Sequence, residues 1–162
     1  MKKIVTALSL LASCLSAHAV TTDVVTAAQN LTNGTEITAI YRPTFVSLPT
    51  SSLAEGREVG VFLVSDSTGV GAIYSASFMP DYQQYAGVGT GIRPGLGYMK
   101  GPTGSMDDSI NVRLLGWDVV GNTVQTLTPE PNASLRLVID RLDAVPPLAG
   151  LHTTQVQFTV VI

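Results

Sequence analysis

The chain has 162 residues, a formal net charge of −3, 45% hydrophobic residues and only 13% charged residues. A length of this order suits one hydrophobic core, and the mild acidic balance offers no basic surface to nucleic acid. We therefore expect a single domain that buries much apolar surface and has no nucleic acid partner.

The N-terminal segment 1–19 has the features of a removable export signal. Two lysines precede an apolar run over residues 4–15, and the sequence Ala-His-Ala at 17–19 is the small-x-small pattern that signal peptidase cleaves. The apolar run is shorter than the roughly 20 residues of a membrane-spanning helix. We expect cleavage after Ala19 and a mature chain that begins at Val20.

A second processing site competes with that cleavage. Residues 11–14 (LASC) also read as a lipobox, which would leave a lipidated Cys14 at the N-terminus. Cleavage after residue 19 instead removes the one cysteine and two of the nine Lys and Arg residues, so the mature formal charge becomes −5. An exported chain without cysteine has no disulfide, and its stability must come from packing or from partners.

The mature region is predicted to form short strands separated by turns. The predicted strands are rich in β-branched and aromatic residues and are bounded by Gly, Pro, Asn and Ser. They cover residues 36–41, 58–65, 72–78, 109–119, 123–127, 134–139 and 152–162. Helical periodicity is nearly absent, so the pattern predicts an all-β sandwich. The stretch 85–104 holds seven glycines and two prolines, and we expect a long loop or an irregular hairpin there.

Catalytic and metal sites find little support in the mature sequence. One histidine, His152, and no cysteine remain, so a His/Cys metal site cannot be assembled. We expect His152 at the entrance of the core, on the strand face that carries Val156. Asp107 and Asp108 are adjacent and would point to opposite faces of a strand, so a solvated turn is expected there. The sequence therefore predicts a protein that is not an enzyme and has no cofactor.

The C-terminal segment resembles the last strand of subunits of chaperone-usher fimbriae. A glycine about a dozen residues from the end is followed by apolar residues at alternating positions, after an export signal and an all-β domain of suitable size. The resemblance implies an immunoglobulin-like β-sandwich that lacks one strand and is completed by donor-strand complementation. The residues that would bind the donated strand are Gly150, Val156, Phe158, Val160 and Ile162.

The same resemblance implies partners and a location. A periplasmic fimbrial chaperone would fill the groove first, and at the outer-membrane usher the N-terminal extension of another fimbrial subunit would replace it. The protein would thus reach the cell surface through the periplasm as a structural or adhesive subunit, with a host glycan or receptor as a further partner. Residues 32–162 would form the pilin-like domain and 20–31 the extension, in which Val20, Val24 and Ala28 make a weak donor pattern. The weak pattern favours a minor or tip-associated subunit, and the absence of cysteine favours the disulfide-free fimbriae.

A self-contained secreted β-sandwich that binds carbohydrate or a host surface is the alternative. We assign Trp117 to the core, but in such a module it would offer a surface for stacking on a sugar. Four tyrosines would join it around the glycine-rich stretch: Tyr74, Tyr82, Tyr85 and Tyr98. This module should fold alone as a stable monomer.

Overall fold

The computed structural model describes residues 19–28, 36–87, 91–143 and 147–161. Within these ranges the chain forms strands and short 3-10 turns, and no helix there is long and apolar enough to cross a membrane. The strands are β1 (Ala19–Ala28), β2 (Ile37–Pro43), β3 (Ser47–Pro49), β4 (Glu58–Asp66), β5 (Ile73–Phe78), β6 (Gln83–Tyr85), β7 (Ile92–Met99), β8 (Ile110–Leu115), β9 (Asp118–Val120), β10 (Thr123–Gln125), β11 (Asn132–Arg141) and β12 (Gly150–Val161).

The strands form two six-stranded sheets with the core between them. One sheet has the order β3-β1-β12-β5-β10-β9, and the other has the order β2-β4-β11-β8-β7-β6. Alternate residues of β4, β11 and β12 are buried, as expected for strands with one face toward the core. The predicted all-β, immunoglobulin-like sandwich is confirmed.

Aromatic side chains join the two sheets at the centre of the core. Phe62 on β4 and Phe158 on β12 are fully buried, and their ring centroids lie 5.2 Å apart. The rings of Trp117 and Phe158 form a T-shaped pair with centroids 6.2 Å apart, and Trp117 stacks on Tyr74 of β5 at 6.3 Å. Aromatic pairs at these separations add to the stabilisation that burial alone provides.

Of the two alternatives predicted for 85–104, the long loop is wrong and the irregular hairpin is found, because β6 and β7 pair in the antiparallel direction with a shift in register. The glycines of β7 serve close packing: a Cβ at Gly97 would lie 2.5 Å from Cγ of the Phe78 ring. Gly95 has a φ of 71°, a backbone conformation that L-residues rarely adopt. Composition alone suggested turns, whereas the glycines let the second sheet approach a buried aromatic side chain.

The predicted strand over 109–119 is divided in two. Gly116 has a φ of 121°, and it separates β8 in one sheet from β9 in the other. The short strands β3 and β6 were not predicted, because three residues are too few to show an alternating pattern.

Candidate strand-binding site between β3 and β12

The N-terminal strand β1 lies between β3 and β12 and pairs with both. Its register with β12 is parallel and runs from Val20 opposite Gly150 to Ala28 opposite Phe158. Its pairing with β3 is antiparallel and covers Ala19–Thr21. The segment predicted to be an N-terminal extension is therefore an interior strand of its own sheet.

The inward face of β1 alternates valine with threonine. Val20 is fully buried, Val24 is buried, and both belong to the core. Thr22 and Thr26 are half-buried, and their hydroxyls donate hydrogen bonds to the backbone carbonyls of Phe45 at 3.2 Å and Ala39 at 3.3 Å. Half of this face is thus held by hydrogen bonds rather than by apolar burial.

The residues predicted to form the donor pattern lie on β1, and those whose side chains are described are on its inward face. Val20 and Val24 both point into the core. Ala28 keeps its register partner on β12, but its side chain lies outside the described residues. Leu48 on β3 completes this wall of the core and had no signal in the sequence.

β12 lies beside β1, on the side away from β3, and carries the side chains predicted for the site. Val156 and Phe158 are fully buried, and Val160 is half-buried and packs against the core. Ile162 lies outside the described residues. These valine and phenylalanine side chains contact the same core that receives Val20 and Val24.

Gly150 is the first residue of β12, and its backbone conformation and surroundings favour glycine. Its φ of 138° lies in the region that favours glycine, and a Cβ would lie 3.0 Å from Cγ of Pro102. A side chain at this position would therefore strain the backbone and press on Pro102. The glycine allows β12 to begin directly beside β1.

The first half of β12 turns a buried polar face toward the core. His152 is fully buried, with Nδ1 3.2 Å from the Gly150 carbonyl oxygen and Nε2 3.0 Å from the Asp108 carbonyl oxygen. Carbonyl oxygens only accept hydrogen bonds, so a neutral imidazole can donate to one of them and an imidazolium to both. His152 thus fixes the start of β12 to the turn that carries Asp108.

The predicted turn is present as the 3-10 turn Met106–Asp108, but Asp108 is buried rather than solvated, whereas its neighbour Asp107 is exposed. Asp108 Oδ2 accepts hydrogen bonds from the backbone N–H of Thr103 at 3.0 Å and from its hydroxyl at 2.7 Å. Burial opposes ionisation, but these hydrogen bonds and the nearby His152 outweigh it and lower the pKa of Asp108. The carboxylate therefore holds a loop together beside β12, and its burial had no signal in the sequence.

The other edge of β12 is paired along most of its length. Residues 156–161 pair with β5, Met79 N donates to the Gln155 carbonyl oxygen, and Thr153 forms a bridge with Lys100. Only β1 covers the remaining edge among the described strands. Without β1 that edge would expose unpaired backbone groups, which is a template for pairing with another strand.

The aromatic residues of the alternative binding module do not form an exposed platform together. Tyr74 is fully buried and donates a hydrogen bond from its hydroxyl to Asp66 Oδ2 at 3.0 Å. Burial, with the neighbouring Asp66, raises the pKa of Tyr74 to about 12. Trp117 stacks on this tyrosine, and its indole N–H donates to the Ser134 carbonyl oxygen at 2.9 Å.

The other tyrosines of that module have separate surroundings. Tyr82 is half-buried and lies under the ammonium group of Lys100, 5.0 Å from its ring centroid. Tyr98 is half-buried, and only Tyr85 is largely exposed. The described part of the chain contains no group of three or more His, Cys, Asp or Glu residues that would hold a metal ion.

The solved structures to which this chain is similar include a pilus subunit and an adhesin. The minor tip subunit HdaB of the E. coli Hda pilus matches with a TM-score of 0.53 and 14% identity, over 79% of this chain and 83% of that one. The Salmonella SafD adhesin matches with a TM-score of 0.47 and 19% identity, over 70% of this chain and 79% of that one. No protein-family model and no curated protein sequence matches the chain. At this identity, the similarity to HdaB establishes a shared fold.

Proposed function

We propose that this protein is a structural or adhesive subunit of a bacterial surface fimbria, assembled by the chaperone-usher pathway through strand exchange. The observation that carries the proposal is the position of β1. It occupies a strand site between β3 and β12, and that site is lined by Val156 and Phe158. A sandwich completed by a terminal segment is suited to accept the same kind of segment from another chain.

The fold of HdaB, a pilus minor tip subunit, supports this assignment and favours a minor or tip-associated position. A periplasmic chaperone would supply a strand to the site first, and a neighbouring subunit would supply it at the outer-membrane usher. The predicted export signal over 1–19 is consistent with this route through the periplasm to the cell surface. A host glycan or receptor would be a further partner if the subunit is adhesive.

No catalytic role is part of this proposal. The two buried acids that could attract attention, Asp66 and Asp108, are each engaged in local hydrogen bonds that order a turn. His152 faces backbone carbonyls rather than a second titratable side chain at hydrogen-bonding distance. These contacts support a structural use of the polar groups.

The self-contained binding module is the second candidate, and one observation favours it. β1 fills the position between β3 and β12, so this sheet needs no strand from a partner there. The buried Tyr74 and the stacked Trp117 argue against the sugar platform first envisaged for it. Such a module would be secreted as a monomer and would not enter fibres.

Immunogold electron microscopy of the bacterium that makes the protein tests the proposed function. Antibodies raised against residues 20–162 should label fibres on intact cells, and the label should disappear when the gene is deleted. A matched antibody against a periplasmic protein of the same strain should leave intact cells unlabelled. Detection of the protein in the culture medium, with no label on surface fibres, would contradict the proposal and favour the secreted module.

A further inference from the structure

β1 and β5 are the two neighbours of β12, and they run in opposite directions. β1 runs parallel to β12, whereas β5 runs antiparallel to it. Among the described strands this is the one parallel pair. β1 and β12 are the first and last described strands, so no local hairpin holds β1 in place. Its attachment depends on its own contacts and on the connection to β2.

That connection is short and keeps β1 close to its site. Eight residues, 29–36, join Ala28 to the start of β2, which lies in the other sheet. The hydroxyl of Thr26 already reaches the carbonyl of Ala39 on β2. A segment tied this closely has an effective concentration of about millimolar or more at its site, far above that of a second chain in dilute solution.

The contacts of β1 suit a strand that can leave. Its inward face alternates two valines with two threonines, and the threonine hydroxyls donate to backbone carbonyls, hydrogen bonds that water can replace. On the outward face, Thr21 is half-buried and its register partner Leu151 is 49% exposed. A donated strand with apolar side chains at all the inward positions would bury more surface than β1 does.

We infer that β1 is a built-in occupant of the strand-binding site, which closes the unassembled subunit as a monomer and must be displaced before another strand enters. This inference rests on the proposed function. It also means that one copy of residues 19–28 cannot close its own domain and be donated to a neighbour at the same time. The subunit would therefore remain closed in solution until a better strand competes for the site.

Paired cysteines in the mature chain 20–162 test the direction and the location of β1. That chain has no cysteine of its own. In T21C/L151C the two cysteines are register partners, so an intramolecular disulfide should form and the protein should run as a monomer. The pair V25C/Q155C, also register partners, provides a second variant if the first fails to fold. The matched control T21C/V161C places the second cysteine ten residues away along β12, and no disulfide should form.

The pattern of disulfides shows whether β1 occupies its own domain and in which direction. Disulfide-linked oligomers of T21C/L151C would overturn self-occupation, because they would place β1 in another copy. An intramolecular disulfide in T21C/V161C would overturn the parallel direction. Absence of any disulfide in both register pairs, when the proteins are folded by circular dichroism, would overturn the inference. Labelled surface fibres would then still uphold the proposed function, so the two failures are distinguishable.

Binding of a fluorescent peptide with the sequence of residues 19–28 provides the second measurement. The V20D/V24D variant of the full mature chain should release its own β1 and bind this peptide about 10- to 1,000-fold more tightly than the unsubstituted chain, because only about 0.1–10% of the latter would be open. Oxidised T21C/L151C should bind it at least about 10-fold more weakly than the reduced form. Equal affinities across these proteins would overturn the inference.

Discussion

The two neighbours of β12 differ in how they contribute to the core. β5 presents three buried apolar side chains, Tyr74, Ala76 and Phe78, and pairs with β12 in the antiparallel direction. β1 presents two buried valines and two half-buried threonines, and pairs in the parallel direction. Parallel pairing is slightly less stable per residue than antiparallel pairing. β5 is therefore an integral part of the sandwich, whereas β1 is suited to be replaced.

The largest loss of stability should come from Phe158, the β12 residue that lies opposite both β1 and β5. Phe158 is fully buried and contacts Phe62 and Trp117, so Phe158→Ala should lower the free energy of unfolding by about 3–5 kcal/mol. Urea denaturation of the mature chain measures this loss. Val161→Ala, at a position of the same strand that is 38% exposed, is the control and should change it by less than about 0.5 kcal/mol. A loss below about 1 kcal/mol for Phe158→Ala would show that β12 is not a core strand.

Alkaline pH should lower the stability of the domain through Tyr74 on β5. Burial raises the pKa of Tyr74 from 10.0 to about 12, so the folded state disfavours the phenolate relative to the unfolded chain. This contribution to stability is complete below about pH 10 and is lost as the pH rises toward 12, an effect on the order of 2 kcal/mol. Urea denaturation at pH 9, 10, 11 and 12 should follow this decline.

Tyr74→Phe provides the control for the alkaline decline. The substitution removes the hydroxyl that donates to Asp66, so the variant should be less stable at pH 9 but should lose less stability between pH 10 and 12. An identical decline in the two proteins would mean that another group causes it. The same decline should appear whether β1 or an added strand fills the site, because Tyr74 belongs to β5.

Smaller losses are expected on the β1 side. Val20→Ala and Val24→Ala each remove two methyl groups from buried positions, so each should cost about 1.5 kcal/mol at roughly 0.8 kcal/mol per buried methylene-sized group. Leu151→Ala, at an exposed position of β12 opposite β1, is the matched control and should be nearly neutral. Losses above about 3 kcal/mol for either valine would contradict the view that β1 is weakly held.

The sequence predicted this comparison in part. Alternating apolar residues located β12 and its inward Val156 and Phe158, because a strand with one buried face repeats every two residues. The same rule placed Val20 and Val24 on one face. It carries no information on whether such a segment fills its own domain or another, because strand partners and directions are set by contacts distant in sequence.

Other features had no local signal at all. Asp108 is buried because the Thr103 hydroxyl and backbone satisfy its carboxylate, and a pair of adjacent acids ordinarily indicates a solvated turn. The glycines of β7 allowed it to be predicted only as an arm of an irregular hairpin, and at Gly97 the missing side chain leaves the space that Phe78 occupies. Both cases depend on a neighbour from elsewhere in the chain, which composition does not reveal.

The central claim is that the strand between β3 and β12 is replaceable, and the most direct measurement is thermal melting of chain 29–162 with a peptide of residues 19–28. We expect this shortened chain to be unstable alone and the peptide to raise its melting temperature in a concentration-dependent, saturable manner. A peptide with aspartate at the positions of Val20 and Val24 should have no effect. A shortened chain that melts like chain 20–162 and ignores the peptide would contradict the account.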